Sequence, residues 1–303
     1  MVSDNVFAAT AGLGTPTNRA YREAAISEKF PQVLVMTGDP LFSDQKQSPW
    51  QLGFVPIYQN EGAAFGKLLA ASKDQHKVAL LSQNDDYGKG YVSGFKEAIK
   101  DASNISVVGE QTYEATDTSV DAQLTQLASS GADVFFNAMS VTPLTIAALQ
   151  KAQQIGWKPS WFLPSNTSSP TAILEPGGAA AYPGIYSVSF AKAPQSPAFA
   201  KDPDVVKFLS ELKQYGNYPD MPAFPHCMWS YMVGATLEQA FKNMTSPTRD
   251  SFMTALRGIK GLQAPLMLSG TSIDTTVDGQ PAVSSVIVQK YNGKGYATAE
   301  NFG

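Results

Sequence analysis

Short apolar runs recur along the chain at intervals of roughly 25 to 45 residues, at Asn5–Thr10, Gln32–Met36, Lys77–Ser82, Ile105–Gly109, Asp133–Ala138, Ser160–Leu163 and Gly184–Ser189. They contain VFAAT, VLVM, VALLS, ISVV, VFFNA, WFL and IYSVS, with apolar residues on consecutive positions. A strand with one face in water alternates apolar and polar side chains, so this pattern predicts strands covered on both faces. Helical spacing fills the intervals. Strand, helix and strand in succession predict an α/β fold of parallel strands joined by right-handed crossovers.

The helices carry their own signals. Thr118 reads as the cap of a helix with Val120, Leu124 and Leu127 on one face, Asp121 three residues after the cap and Gly131 closing it. Thr142–Pro143 opens the next, the proline standing where a helix needs no N–H, with Ala147, Leu149 and Ile155 as its apolar positions. Ser246–Pro247 repeats the device. Within Met228–Met244, Val233, Leu237, Phe241 and Met244 fall at helical spacing and predict a buried stripe, and Ala191–Pro203 reads as a surface loop.

Composition narrows the class. At 303 residues the chain accommodates two lobes of ordinary size, and 43% hydrophobic against 16% charged residues excludes a disordered chain. A formal net charge of -4, without a cluster of Lys and Arg among aromatics, argues against nucleic acid as a partner. One cysteine, Cys227, excludes an internal disulfide framework, and with two histidines it excludes the usual zinc ligand set. No apolar run reaches membrane-spanning length, so the chain is not expected to be membrane-embedded. MVSDNVFAATAGLGTPTN has neither a basic leader nor a long apolar core, so no signal peptide is expected in this chain.

Three turns follow strands. Gly12, Leu13, Gly14 and Thr15, in GLGTPTN, end one strand and open a helix, whose N-terminal N–H groups suit a carboxylate. The third glycine of a dinucleotide fingerprint is missing, and a plain strand-to-helix turn explains the glycines equally. Thr37, Gly38 and Asp39, before Pro40, repeat the arrangement at the carboxyl end of the second strand, again as ligand turn or structural turn. Asn84–Gly90 (NDDYGKG) has two aspartates but lacks the ligand alternation and twelfth-position carboxylate of a calcium loop; Tyr87 there offers a rigid ring for a ligand instead. Neither a GxSxG elbow nor HExxH is present, and His76 and His226 are the only imidazoles, so no catalytic set can be named. No cofactor and no metal is expected.

LGTPTN at Leu13–Asn18, PWQLGFVPIYQNEG at Pro49–Gly62, QNDDYGKGY at Gln83–Tyr91, SGADVF at Ser130–Phe135, IGWKP at Ile155–Pro159 and the closing VQKYNGKGY together resemble the leucine/isoleucine/valine-binding type of ABC-transporter substrate-binding protein. The resemblance spans the chain. It implies the periplasmic binding protein-like I fold: two doubly wound α/β lobes joined by three crossovers at a hinge, closing on a small ligand without chemistry. On that pattern the first lobe comprises Met1–Gln75 with Ser189–Gln263, and the second His76–Val188 with Ala264–Gly303. Members ordinarily carry about 60 to 80 residues before the LGTPTN region, so the resemblance implies a first lobe lacking its first two strands. Asn5–Thr10 should then lie at or near an edge of its sheet.

The resemblance also assigns residues. Gly12–Thr15 and Thr37–Asp39 match the turns that hold a ligand carboxylate, and Tyr87 matches an aromatic wall residue of the facing lobe. Amino-acid binders place a carboxylate and a tyrosine where this chain has Asn166 and Ser140, and Pro40 replaces a usual hydroxyl donor. His226 matches an apolar pocket position. An ammonium needs a charge partner when buried, so the substitutions point to an aromatic or other organic acid, or an amide. The implied function is delivery of a small ligand to an ABC-transporter permease, with the protein periplasmic or extracellular and membrane-associated. The same bilobed fold also serves ligand-sensing domains of receptors and regulators.

Overall fold

A computed structural model describes residues 4–216 and 225–303; Phe224 of the FPHCMW stretch lies outside the described residues. The chain begins with β1 (Ala9–Thr10), α1 (Thr15–Ser27), β2 (Gln32–Val35), β3 (Gln51–Gly53) and α2 (Tyr58–Ala70). It continues through β4 (His76–Gln83), α3 (Asp86–Ile99), β5 (Ile105–Tyr113), α4 (Asp121–Ala128), β6 (Val134–Ala138), α5 (Thr142–Gln154), β7 (Ser160–Phe162) and β8 (Ile185–Ser189). Helices α6 (Pro203–Tyr215), α7 (Pro225–Asn243) and α8 (Arg249–Arg257) precede β9 (Ile287–Tyr291) and β10 (Tyr296–Thr298).

The chain divides into two compact units, Met1–Asn60 with Met228–Ser285, and Glu61–Cys227 with Val286–Gly303. It therefore passes between units three times. β8 is hydrogen-bonded to β7 and β9 within the second unit. Ala282 donates its N–H to the Gly53 carbonyl at 2.9 Å, which ties the segment before Ser285 to β3 and the first unit.

The first unit holds a parallel sheet in the order β1-β2-β3. Central β2 is buried at all four positions, as the VLVM run predicts. β1 is an edge strand of two residues, shorter than the expected Asn5–Thr10. The preceding carbonyls of Val6 and Phe7 accept hydrogen bonds from the Arg249 guanidinium at 2.7 and 3.0 Å, so a side chain of α8 takes the place of a ladder there.

The second unit holds a sheet ordered β10-β9-β8-β7-β6-β4-β5, parallel from β8 to β5, with β9 and β10 antiparallel. Consecutive apolar residues on β6 and β7 point to opposite faces. Phe136 and Phe162 meet Phe65 of α2, and Phe136 also meets Phe95 of α3 with ring centres 4.6 Å apart. On the other face Phe135 packs edge-on to Trp161 at 4.6 Å and against Trp157 at 5.0 Å. α2 and α3 approach to backbone contact at Gly62, where a Cβ would lie 2.1 Å from the Tyr91 carbonyl oxygen.

Several local expectations are corrected. β5 pairs only with β4 among the described residues and is an edge strand, and Val107 and Val108, on opposite faces, are 38% and 37% exposed rather than covered. α4 starts at Asp121, whose N–H is accepted by the Ser119 hydroxyl at 3.2 Å, leaving Thr118 outside the cap. α8 starts at Arg249 behind Thr248, which accepts the Ser251 N–H, rather than at Ser246–Pro247. The buried side of α7 carries Trp229, Met232, Val233, Thr236 and Ala240, whereas Phe241 is 52% exposed, its ring lying over half-buried Phe7 and buried Phe252. β3, β9 and β10 were not foreseen: QLG is short, and the last two carry few fully buried positions.

Candidate functional site

In the first unit the two glycine-containing turns are zipped together. Leu13 and Met36 form a parallel bridge, with Met36 N–H donating to the Gly12 carbonyl at 2.8 Å and Gly14 N–H to the Met36 carbonyl at 3.3 Å. Gly14 stands at the N-cap of α1 with φ 96°, a backbone conformation that disfavours any side chain. Asn18, buried one turn into α1, returns its amide to the Gly12 and Gly14 carbonyls at 2.8 and 2.7 Å. Leu13 is left 54% exposed.

This scaffold converges three hydroxyls. Thr15 Oγ1 lies 2.6 Å from Thr37 Oγ1, and both lie 3.1 Å from the Tyr58 hydroxyl. Three hydroxyls in mutual contact have one proton each, so turning one proton outward toward an anion leaves the other two still bonded. The positive end of the α1 dipole adds to their attraction for a carboxylate. Gly38 accepts the Tyr58 N–H at 3.1 Å and so seats that ring. Asp39 holds the turn. Its carboxylate accepts from Arg19 Nε at 2.6 Å and from Leu41 N–H at 3.1 Å, capping the turn Pro40–Phe42.

In the second unit Tyr87 is the second residue of α3, which is capped by Asp85, whose carboxylate accepts the Gly88 N–H. The buried Tyr87 hydroxyl stands 3.0 Å from Asn166 Oδ1 and 3.2 Å from the Met139 carbonyl. Ser140, half-buried, donates from Oγ to Gln83 Oε1 at 2.5 Å, and Tyr113 donates to the same oxygen at 2.8 Å while accepting the Ser140 N–H at 3.1 Å. Tyr87, Asn166 and the Met139–Ser140 peptide thus form one group, placed by the carboxyl ends of β4, β6 and β7. His226 lies in the first turn of α7, half-buried, where desolvation lowers its pKa and keeps the ring neutral near pH 7.

The sequence reading missed Tyr58, Gln83 and Tyr113. Tyr58 and Gln83 lie in the quoted stretches PIYQNEG and QNDDYGKGY, but nothing local marks their hydrogen-bonding direction. A separate array, Ser72 Oγ to His76 Nε2 at 3.0 Å and His76 Nδ1 to Asp133 at 2.7 Å, has the spacing of a hydrolytic triad. Ser72 Oγ also accepts the Asp74 N–H and Asp133 the Lys77 N–H, so these bonds fasten the α2–β4 turn to the start of β6. Among the described residues no three His, Cys, Asp or Glu side chains are disposed to hold a metal ion, and no helix is long and apolar enough to cross a membrane.

Residues 1–295 match the family model described as periplasmic binding protein, and the chain belongs to that family. Its fold is that of leucine/isoleucine/valine-binding-type proteins. A possible leucine/isoleucine/valine-binding protein from Rhodopirellula baltica superposes with a TM-score of 0.79 at 19% identity, over 98% of this chain and 78% of that one. A branched-chain amino acid ABC-transporter protein from Thermus thermophilus with bound valine gives 0.78 at 15%, over 95% and 76%. A solute-binding protein from Rhodopseudomonas palustris in complex with benzoate gives 0.78 at 15%, over 98% and 77%. A comparison with curated protein sequences found no match.

Proposed function

We propose that the chain is the solute-binding component of an ABC importer, presenting a small organic acid or amide to a membrane permease outside the cytoplasm. The family supports the binding role, and neighbours of the same fold hold ligands as different as valine and benzoate. The observation that carries the ligand class is the absence of charge in the Tyr87, Ser140 and Asn166 group. A buried ammonium without a carboxylate partner costs several kcal/mol. The nearby carboxylate of Glu61 is enclosed by Tyr91 and Ser165, and that of Asp85 accepts from Gln83 Nε2 and the Gly88 N–H. In the first unit Thr15, Thr37 and Tyr58 with the α1 N-terminus supply donors for a carboxylate. Tyr87, Ser140, Asn166 and His226 supply uncharged recognition.

Calorimetry with benzoate, benzamide, valine and leucine tests the reading. Benzoate or benzamide should bind, and at 100 times its dissociation constant the ligand should add about 2.7 kcal/mol to stability. Micromolar binding of valine or leucine with no heat from the other two overturns the ligand class.

A further inference from the structure

We propose that Glu61 is a positioning residue for the Tyr87–Asn166 group, holding the Ser165–Thr167 turn that presents Asn166; this rests on the ligand role given above to that group. Glu61 stands in the first turn of α2 and is 2% exposed. Its Oε2 accepts from the Tyr91 hydroxyl at 2.7 Å and the Ser165 N–H at 3.2 Å, and its Oε1 accepts from Ser165 Oγ at 2.9 Å. Asn166, the next residue, meets the Tyr87 hydroxyl, and the Tyr87 ring lies 4.9 Å from that of Tyr91. Glu61, Ser165, Asn166, Tyr87 and Tyr91 thus close a circuit. The turn needs such a brace: Ser165–Thr167 is only three residues long and follows Pro164, which has no N–H to give.

A carboxylate suits this brace because, ionised, it accepts from all three donors at once, in charge-assisted bonds. The ionisable groups facing it are Tyr91 and, behind it, Tyr87, both on α3; Ser165 and the peptide on the other side do not titrate. Among the described residues no cation pairs with Glu61. Burial accordingly raises its pKa from 4.5 to about 6. Below that pH the carboxyl carries a proton, Ser165 Oγ must turn to accept it, and the brace weakens. Ligand affinity should therefore fall as pH drops through about 6.

The full chain as wild type, Glu61→Gln, Glu61→Ala and Ser165→Ala tests this on two readouts. Hydrogen exchange at the Ser165 amide needs no ligand: Glu61→Ala should speed it about tenfold with β4 and β6 amides unchanged, while Glu61→Gln keeps most of the protection. By calorimetry with benzoate, wild-type affinity should drop severalfold between pH 7 and pH 5, that drop should be absent in Glu61→Gln, where His226 is left to titrate, and Ser165→Ala should bind about tenfold more weakly at pH 7. Unchanged Ser165 exchange in Glu61→Ala, or a wild-type pH profile surviving in Glu61→Gln, overturns the proposal. If benzoate gives no heat with wild type at either pH, the ligand reading fails while the exchange result still decides the brace.

Discussion

Replacing Glu61 by glutamine should alter stability in a way that depends on pH. The side chain keeps its shape, and its amide can still accept from Tyr91 and Ser165 N–H while donating to Ser165 Oγ, so packing changes little. What disappears is a buried titration. Folding raises the carboxyl pKa from 4.5 to about 6, so between those values the folded chain binds more protons than the unfolded one. The stability this confers is fully present below about 4.5 and is lost as pH rises through about 6. At 1.36 kcal/mol per pKa unit the swing is about 2 kcal/mol. Exchange of the slowest amides on β4 and β6, which reports the second unit, should show wild type falling relative to Glu61→Gln by about 2 kcal/mol between pH 4 and pH 7.5. Parallel curves for the two proteins would refute the reasoning, because they would mean that the wild-type carboxyl titrates at the same pH folded and unfolded.

Thr37→Val keeps the shape but removes two of the three contacts in the hydroxyl group, leaving Thr15 and Tyr58 bonded to each other, and should cost about 0.5–1.5 kcal/mol in amide exchange of the first unit and weaken benzoate binding, with Thr37→Ser restoring both. Phe136→Ala removes a ring that contacts Phe65, Phe95 and Phe162 and should cost about 3–5 kcal/mol by urea unfolding; a loss below about 1 kcal/mol would contradict the packing described. Gly62→Ala, 2.1 Å from the Tyr91 carbonyl, forces α2 and α3 apart and should destabilise by about 1–3 kcal/mol, read from the same urea transition. The His226 imidazole should titrate below its ordinary 6.5 by proton NMR, so that its contribution to stability is lost as pH falls through the lowered value; a midpoint above 6.5 would place a carboxylate against the ring.

Features written in adjacent residues were legible from the chain alone. β4, β6, β7 and β8 fall where consecutive apolar residues require cover on two faces, and α1 begins where GLGTPTN leaves a strand, because both follow from local sterics and hydrophobic period. The same local logic failed where cover depends on neighbours. Nothing in ISVV shows that β5 has a partner on one side only, and nothing in α7 shows that Phe241 lies half in solvent over Phe7 and buried Phe252. Capping was misplaced by a few residues because Thr118 and Ser246 have the right side chains, and only backbone geometry puts the helix starts behind Val120 and Thr248.

The candidate site divides in the same way. Gly12–Thr15, Thr37–Asp39 and Tyr87 were visible as turns after strands, since glycine and a helix start announce themselves in sequence. That Thr15 and Thr37 touch each other and Tyr58, and that Asp39 is spent on Arg19, depends on residues about 20 to 40 positions apart meeting once β1, β2 and α2 are in place. Glu61 is the extreme case. In sequence it is one polar residue in PIYQNEG; its burial, raised pKa and bonds to Ser165 exist only because α2, α3 and the end of β7 come together. Side-chain period is a property of neighbours along the chain, whereas hydrogen-bond partnership and dielectric are properties of neighbours in space, and tertiary packing alone decides those.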